Sequence, residues 1–402
     1  MKFTKDMGND FEITSRKFQN YAQFNKWLLL TIVISILLVV AVNLVVDPYG
    51  IYKTPNFLGI NHAKIQKNSN DRLYKAIDII RIKPVTIFLG TSRTKQGLDP
   101  NHPGLSNSQP TYNLALDSAN SYEVMRYLQH TLKNQPHLKK VIFGVDYFMF
   151  NKILNNRPGF NEKRLEKKYI IATDILNSLF SIDSFDVSQK TVFASLKETD
   201  NRNYHFTGNG FAPYLDDTKG KHKDYFKYSL SFYLDVYHKY IFNDQYFDNF
   251  QKIVDICRNN NIELIIFISP THATQWETLK IAGKWEYFEK WKQKLITVTP
   301  VWDFSGYNSI NTEIIGDIMK NYVDNAHYTK PVGDLVLNRI LGYQADQVPA
   351  DFGVLLTPEN IESHLAKIRA GREKWVKNNQ DELELVQRLE QEFVEKINKS
   401  KD

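Results

Sequence analysis

Residues 27–46 read WLLLTIVISILLVVAVNLVV, twenty positions without a charge. As an α-helix rising about 1.5 Å per residue, the run spans about 30 Å, the hydrocarbon thickness of a bilayer. It is apolar on every side, whereas a helix packed on a soluble core keeps a polar face. The pattern predicts a transmembrane anchor. Lys26 and Trp27 flank one end, and Asp47-Pro48 close the other. The leader, residues 1–26, is long for a cleavable signal, which predicts an uncleaved signal anchor. It carries Lys2, Lys5, Arg16, Lys17 and Lys26 against Asp6, Asp10 and Glu12, while only Lys53 follows soon after the span. This bias predicts a single-pass cell-membrane protein, its N-terminus cytoplasmic and its main domain periplasmic or extracellular.

Beyond the span the periodicity changes. Short apolar runs at 85–89, 111–115, 140–143 and 262–269 read as buried strands, and a weaker one lies at 300–304. Between them Val124, Tyr127, Leu128 and Leu132 recur at helical spacing, as do Phe247, Phe250, Ile253, Val254 and Cys257. Strand and helix in alternation predict an α/β domain over 85–345, a parallel sheet covered on both faces. Residues 47–84 read as a linker with a short helix. Across 151–245 the alternation breaks into a Phe- and Tyr-rich stretch, read as a helical insertion over the sheet edge. Its aromatics read as packing, with a substrate or partner surface as the alternative. Residues 346–402 read as a helical tail opening at Thr357-Pro358, with Gly371 as an interruption. Its apolar stripes, at Ile361, Leu365 and Ile368 and at Val386, Leu389, Phe393 and Ile397, either dock on the parent domain or take a partner helix.

Composition removes several classes. The chain is 42% hydrophobic and 24% charged, ordinary globular material with room for a large core. A net charge of +6 suits an anionic membrane surface or polymer. No dense Lys/Arg block or nucleic-acid motif accompanies it, so no nucleic-acid partner is expected. Cys257 is the sole cysteine, which excludes an internal disulfide and a thiolate zinc cluster. The sequence has no phosphate loop or nucleotide fingerprint. Neither a cofactor nor a metal is expected.

The candidate chemistry begins at Ser92, in Ile87-Phe88-Leu89-Gly90-Thr91-Ser92-Arg93. A buried strand followed by a glycine turn presents a serine at the carboxyl edge of a sheet, where open α/β folds place ligands. A serine nucleophile needs a base to take its proton, and a histidine oriented by a carboxylate does this. Asp-x-x-His occurs three times, at Asp99/His102, Asp235/His238 and Asp324/His327. The first follows the serine too closely, and the second lies in a helical stretch. Only Asp324/His327 follows the last strand-like run on a loop, so the expected catalytic set is Ser92, Asp324 and His327. Arg93 either binds an anionic group or pairs with an acid. His272 ends another strand and either lines the cleft or is a satisfied loop histidine.

Gly90-Thr91-Ser92, Gly144-Val145-Asp146 and Asp324-Asn325-Ala326-His327, in that order, resemble the blocks of the SGNH (GDSL-like) hydrolase superfamily. Tyr112-Asn113-Leu114-Ala115-Leu116 and the run from Val141 to Phe148 make the chain similar to membrane-anchored bacterial members of cell-envelope acylation. Those serve alginate O-acetylation and D-alanyl transfer to teichoic acids. The resemblance covers 85–341, apart from the insertion. It implies a flavodoxin-like parallel sheet and an acyl ester transferase or esterase acting on an envelope glycan. It also implies an acyl donor, with a multispanning membrane O-acyltransferase as the partner that supplies it. Two positions depart from the family. Thr91 stands where Asp is usual, and Asp146 stands where the family has an oxyanion-binding Asn. A carboxylate cannot donate a hydrogen bond unless protonated. The expectation is that the Ser92 backbone N–H and Asn113 bind the oxyanion, or else the site is weak or inactive. The rival reading is a non-catalytic envelope assembly protein that keeps the fold.

Overall fold

The computed structural model describes residues 3–64, 67–197, 208–214 and 220–399. In chain order the first helices are α1 (Phe3–Val46), α2 (Asp71–Ile82), α3 (Ser92–Gly97), α4 (Ser121–Asn134), α5 (Glu162–Leu165), α6 (Ala172–Phe180) and α7 (Ile182–Leu196). The rest are α8 (His222–His238), α9 (Asp244–Asn259), α10 (Ala273–Ile281), α11 (Trp285–Ile296), α12 (Lys330–Leu341), α13 (Ile361–Asn378) and α14 (Gln380–Lys399). The strands are β1 (Thr86–Leu89), β2 (Thr111–Asn113), β3 (Lys140–Val145), β4 (Glu263–Ile268), β5 (Val301–Asp303) and β6 (Val354–Leu356).

Two compact units emerge: Met1–Ser69 with Ile170–Asp200, and Asn70–Tyr169 with Asn201–Asp402. The first holds the membrane-type helix. Its Asn20–Val46 stretch is long and apolar enough to cross a bilayer. Helices α6 and α7 pack against α1 within this unit. The expected 151–245 insertion is therefore not one body. Its middle belongs with the membrane-type helix, while α8 belongs with the sheet. Residues 198–207 and 215–219 of that stretch lie outside the described residues. The short helix expected in the linker is α2, and it too belongs to the α/β unit.

The second unit is built on a six-stranded sheet in the order β2-β1-β3-β4-β5-β6. The first five strands run parallel, and β6 pairs antiparallel with β5. Side chains alternate across it as strand geometry requires. Ile87, Leu89, Val141 and Phe143 enter one core with residues of α2, α4, α9 and α11. Phe88, Ile142 and Phe267 enter a second core with Val332, Val336 and Leu337 of α12. The sheet is thus covered on both faces, which is why its strands read as continuous apolar runs. The chain passes from β1 to β2 on one side and then to β3 on the other. Loops after β1 and β3 diverge there and leave a crevice at the carboxyl edge.

The tail departs from expectation in three places. Residues 354–356 form β6, too short to show periodicity. Helix α13 starts at Ile361 after Asn360, because the Asn360 side chain accepts from Thr357 N–H and folds 357–360 into a turn. Gly371 lies inside an unbroken α13, against Tyr307. Both tail helices dock on this unit: α13 on α11 and α14 on α8 and α10. Val386 and Leu389 are buried with Leu230 and Leu234 of α8.

Candidate active site

Ser92 opens α3 directly after β1. Gly90 makes the turn possible: its φ is +148°, and a Cβ there would lie 2.9 Å from Gly144 O and collide with Thr94 Oγ1. Thr91 caps α3 by accepting from Arg93 N–H, and its own hydroxyl donates to Asp146 Oδ2 at 2.5 Å. Arg93 Nη1 donates to Asp146 Oδ1 at 3.0 Å, and Nη2 donates to the Tyr233 hydroxyl at 3.2 Å. Buried Asp146 at the end of β3 thus holds the residues on both sides of Ser92. This fixes the position of Ser92 by two charge-assisted bonds.

The long loop between β5 and α12 brings the other members. Val323 N–H donates to His327 O at 2.9 Å, Tyr322 and Tyr328 form a bridge, and His272 N–H donates to Asn325 O at 3.0 Å. The Asn325 amide also donates to the Gln275 side chain. So anchored, His327 Nε2 lies 2.8 Å from Ser92 Oγ. His327 Nδ1 lies 2.8 Å from Asp324 Oδ2. A proton on Nδ1 facing the carboxylate leaves Nε2 free to accept from the serine hydroxyl. Asp324 Oδ1 also accepts from Ala326 N–H at 2.7 Å and His327 N–H at 2.9 Å. Burial pulls the Asp324 carboxyl upward. The neighbouring His327 and these hydrogen bonds outweigh it and hold the carboxyl below its usual range.

The Ser92–His327 pair lies at a cavity of about 350 Å³. Phe148, Ile153, Leu154, Phe232, Tyr233 and Val236 supply its apolar lining, and Arg157 and Ser118 line it as well. Ser118 has a left-handed backbone, φ +50°, and its N–H donates no hydrogen bond among the described residues. Its loop is rigidly held. Asp117 N–H donates to Asp71 Oδ2 at 2.8 Å, Arg72 Nη2 donates to Asp117 O at 2.8 Å, and Leu116 N–H donates to Gly90 O at 3.0 Å. Buried Lys75 donates to Asn113 O and Ala115 O at 2.8 and 2.7 Å. Burial favours a neutral Asp71 carboxyl, but Lys95 and Arg72 outweigh it and keep the carboxyl below its usual range.

One expectation needs correction, and two open readings are resolved. Asn113 is fully buried; its amide donates to Thr94 O and Leu98 O, each at 2.9 Å, and its Oδ1 accepts from Ala115 N–H. With both donor protons so engaged it cannot bind an oxyanion. Arg93 is buried in its pair with Asp146, which resolves its two readings toward the ion pair. His272 caps α10, contacts Thr274 Oγ1 and sits 2.5 Å from Glu313 O. It is the satisfied loop histidine and does not line the cavity. The other Asp-x-x-His pairs are elsewhere. His102 caps a 3-10 turn through Gly104 N–H, and His238 contacts Glu390 of α14.

Sequence reasoning missed the cavity wall. Ser229, Phe232, Tyr233 and Val236 fall at i, i+3, i+4 and i+7 on α8, so helical periodicity carried the signal. Ser118 carried none, because a left-handed serine is not marked by its type. The chain matches no family profile, no curated protein and no solved structure.

Proposed function

We propose that this protein is a membrane-anchored serine acyl ester transferase or esterase of SGNH-like, flavodoxin-like architecture. The observation that carries the reading is the meeting of Ser92 and His327, 235 residues apart, at 2.8 Å beside an apolar cavity. The strand order, with its reversal at β1, supports the same reading.

Ser92 Oγ attacks the acyl carbonyl as its proton passes to His327 Nε2. Asp324 stabilises the imidazolium. The Ser92 and Ser118 backbone N–H groups bind the oxyanion, the second replacing the family's asparagine. His327 returns the proton to the departing alcohol, leaving the acyl group on Ser92. A second hydroxyl, from water or a glycan, then gives its proton to Nε2 and attacks the ester. Ser92 leaves and recovers the proton. The apolar lining receives the acyl group, and Arg157 at the cavity suits an anionic envelope polymer. The lysine and arginine bias of the leader supports a reaction at the outer membrane face, where a multispanning O-acyltransferase would supply the donor.

Turnover of a small activated ester by the purified full chain tests this. Ser92→Ala is expected to lower the rate about 10³-fold or more with the fold intact, and His327→Ala nearly as much, since a triad acts as a unit. Equal turnover by wild type and Ser92→Ala would remove Ser92 from the chemistry.

A further inference from the structure

Helix α7 is inside out. Its buried positions are Ser184, Ser188, Thr191 and Ser195, small and polar at helical spacing. Its apolar side chains face outward instead: Ile182 is 79% exposed and Phe193 and Leu196 are each 63% exposed. On α6 the buried positions are Asp174 and Ser178, while Leu176 and Phe180 are exposed. In water this arrangement loses apolar burial on every turn. Beside a bilayer it is the favoured one, because small polar residues pack helices closely and apolar residues meet acyl chains.

A second observation concerns what these helices touch. Asn43 lies inside the apolar span yet is fully buried. Its amide donates to Leu179 O at 2.8 Å, and its Oδ1 accepts from the Ser188 hydroxyl at 2.9 Å. The tip of the α6–α7 hairpin therefore sits against the last turns of the span.

A third concerns the last carbonyls of α1, which have no partner within the helix. Protein side chains satisfy them. Thr54 Oγ1 donates to Leu44 O at 2.8 Å, Asn61 Nδ2 to Val45 O at 3.1 Å, and Lys64 Nζ to Val46 O at 2.9 Å. The loop that brings these donors back along the span also exposes Phe57, Leu58 and Ile60, with Leu58 80% exposed. Backbone groups in hydrocarbon need such internal partners.

We infer that the 55–60 loop and the α6–α7 hairpin form a collar around the end of the span, its apolar rim immersed in the acyl chains of the adjoining leaflet. Asp186 and Lys190 pair along the flank of the same exposed face of α7, one turn from Ile182 and Phe193, and mark its edge toward headgroups and water. The collar fixes the height of the anchor in the membrane, which one helix on a flexible linker does not do. It owes nothing to the chemistry of Ser92.

Depth-dependent quenching in lipid nanodiscs tests the collar on the full chain. Cys257 is buried and burial pushes its thiol up to about 12, so the wild type serves as the unlabelled control for a thiol-reactive fluorophore. Leu58→Cys, Phe180→Cys and Phe193→Cys alter only exposed positions, and Lys190→Cys is the comparison site on the charged edge. Lipids brominated in the acyl chain are expected to quench the first three labels at least about twofold more than the fourth, with aqueous iodide showing the reverse order. Iodide quenching at 58, 180 and 193 equal to that at 190 would overturn the collar. Shielding of those three sites from both quenchers would overturn it too, in favour of a protein surface covering the rim.

Discussion

Asp146 holds Thr91 and Arg93 on either side of Ser92, with both carboxylate oxygens engaged. Asp146→Asn should therefore not raise activity. It should destabilise the fold by about 3 kcal/mol, because it leaves Arg93 buried without its counter-charge. Denaturant unfolding and ester turnover on the same preparation measure both. His272 makes a pH-dependent contribution. Burial lowers its pKa from 6.5 to about 4. The folded state therefore keeps it neutral where the unfolded chain binds a proton, and stability falls as pH drops below about 6.5 toward 4. Between pH 7 and pH 5 this one group should remove about 2 kcal/mol. A His272→Gln protein should lose less over that interval, and unfolding at the two pH values reads the difference. The hydrogen-bonded grouping of Ser92, His327 and Asp324 was legible because Ser92 followed a strand and a glycine and only one Asp-x-x-His fell on a suitable loop. Asn113 misled because its type suited an oxyanion donor while its buried position assigned the amide to two carbonyls.

At the scale of elements, α8 forms one wall of the cavity and is itself braced by α14. Phe232 is 53% exposed on that wall, an apolar group that solvent does not favour. Phe232→Ala should lower kcat/KM for longer acyl esters by about 10-fold and leave acetyl esters within about twofold, since each buried methylene contributes about 0.8 kcal/mol. A series of p-nitrophenyl esters of increasing chain length measures the difference. The parallel strands β1, β3 and β4 were plain in the sequence, because strands buried on both faces read as unbroken apolar runs. Strand β6 was not, since three residues carry no period. Helices α6 and α7 were seen only as part of an aromatic insertion. Their small polar stripe faces protein and their apolar residues face outward, so periodicity alone could not say which face was inside.

Across the whole molecule, a membrane-type helix and a sheet domain share one chain, and each was legible by its own pattern: an all-round apolar run and an alternation of strand and helix. What sequence could not assign was the division of 151–245, where the chain leaves the sheet unit for the unit of the membrane-type helix and returns. The central claim is that Ser92 forms a covalent intermediate under activation by His327 and Asp324. Intact mass analysis of the folded full chain after a serine-reactive fluorophosphonate tests it most directly. A single adduct should appear on the wild type, map by peptide sequencing to Ser92, be absent from Ser92→Ala and form at least about 10²-fold more slowly on His327→Ala. A folded wild type that takes no adduct, or one that persists in Ser92→Ala, would contradict the account.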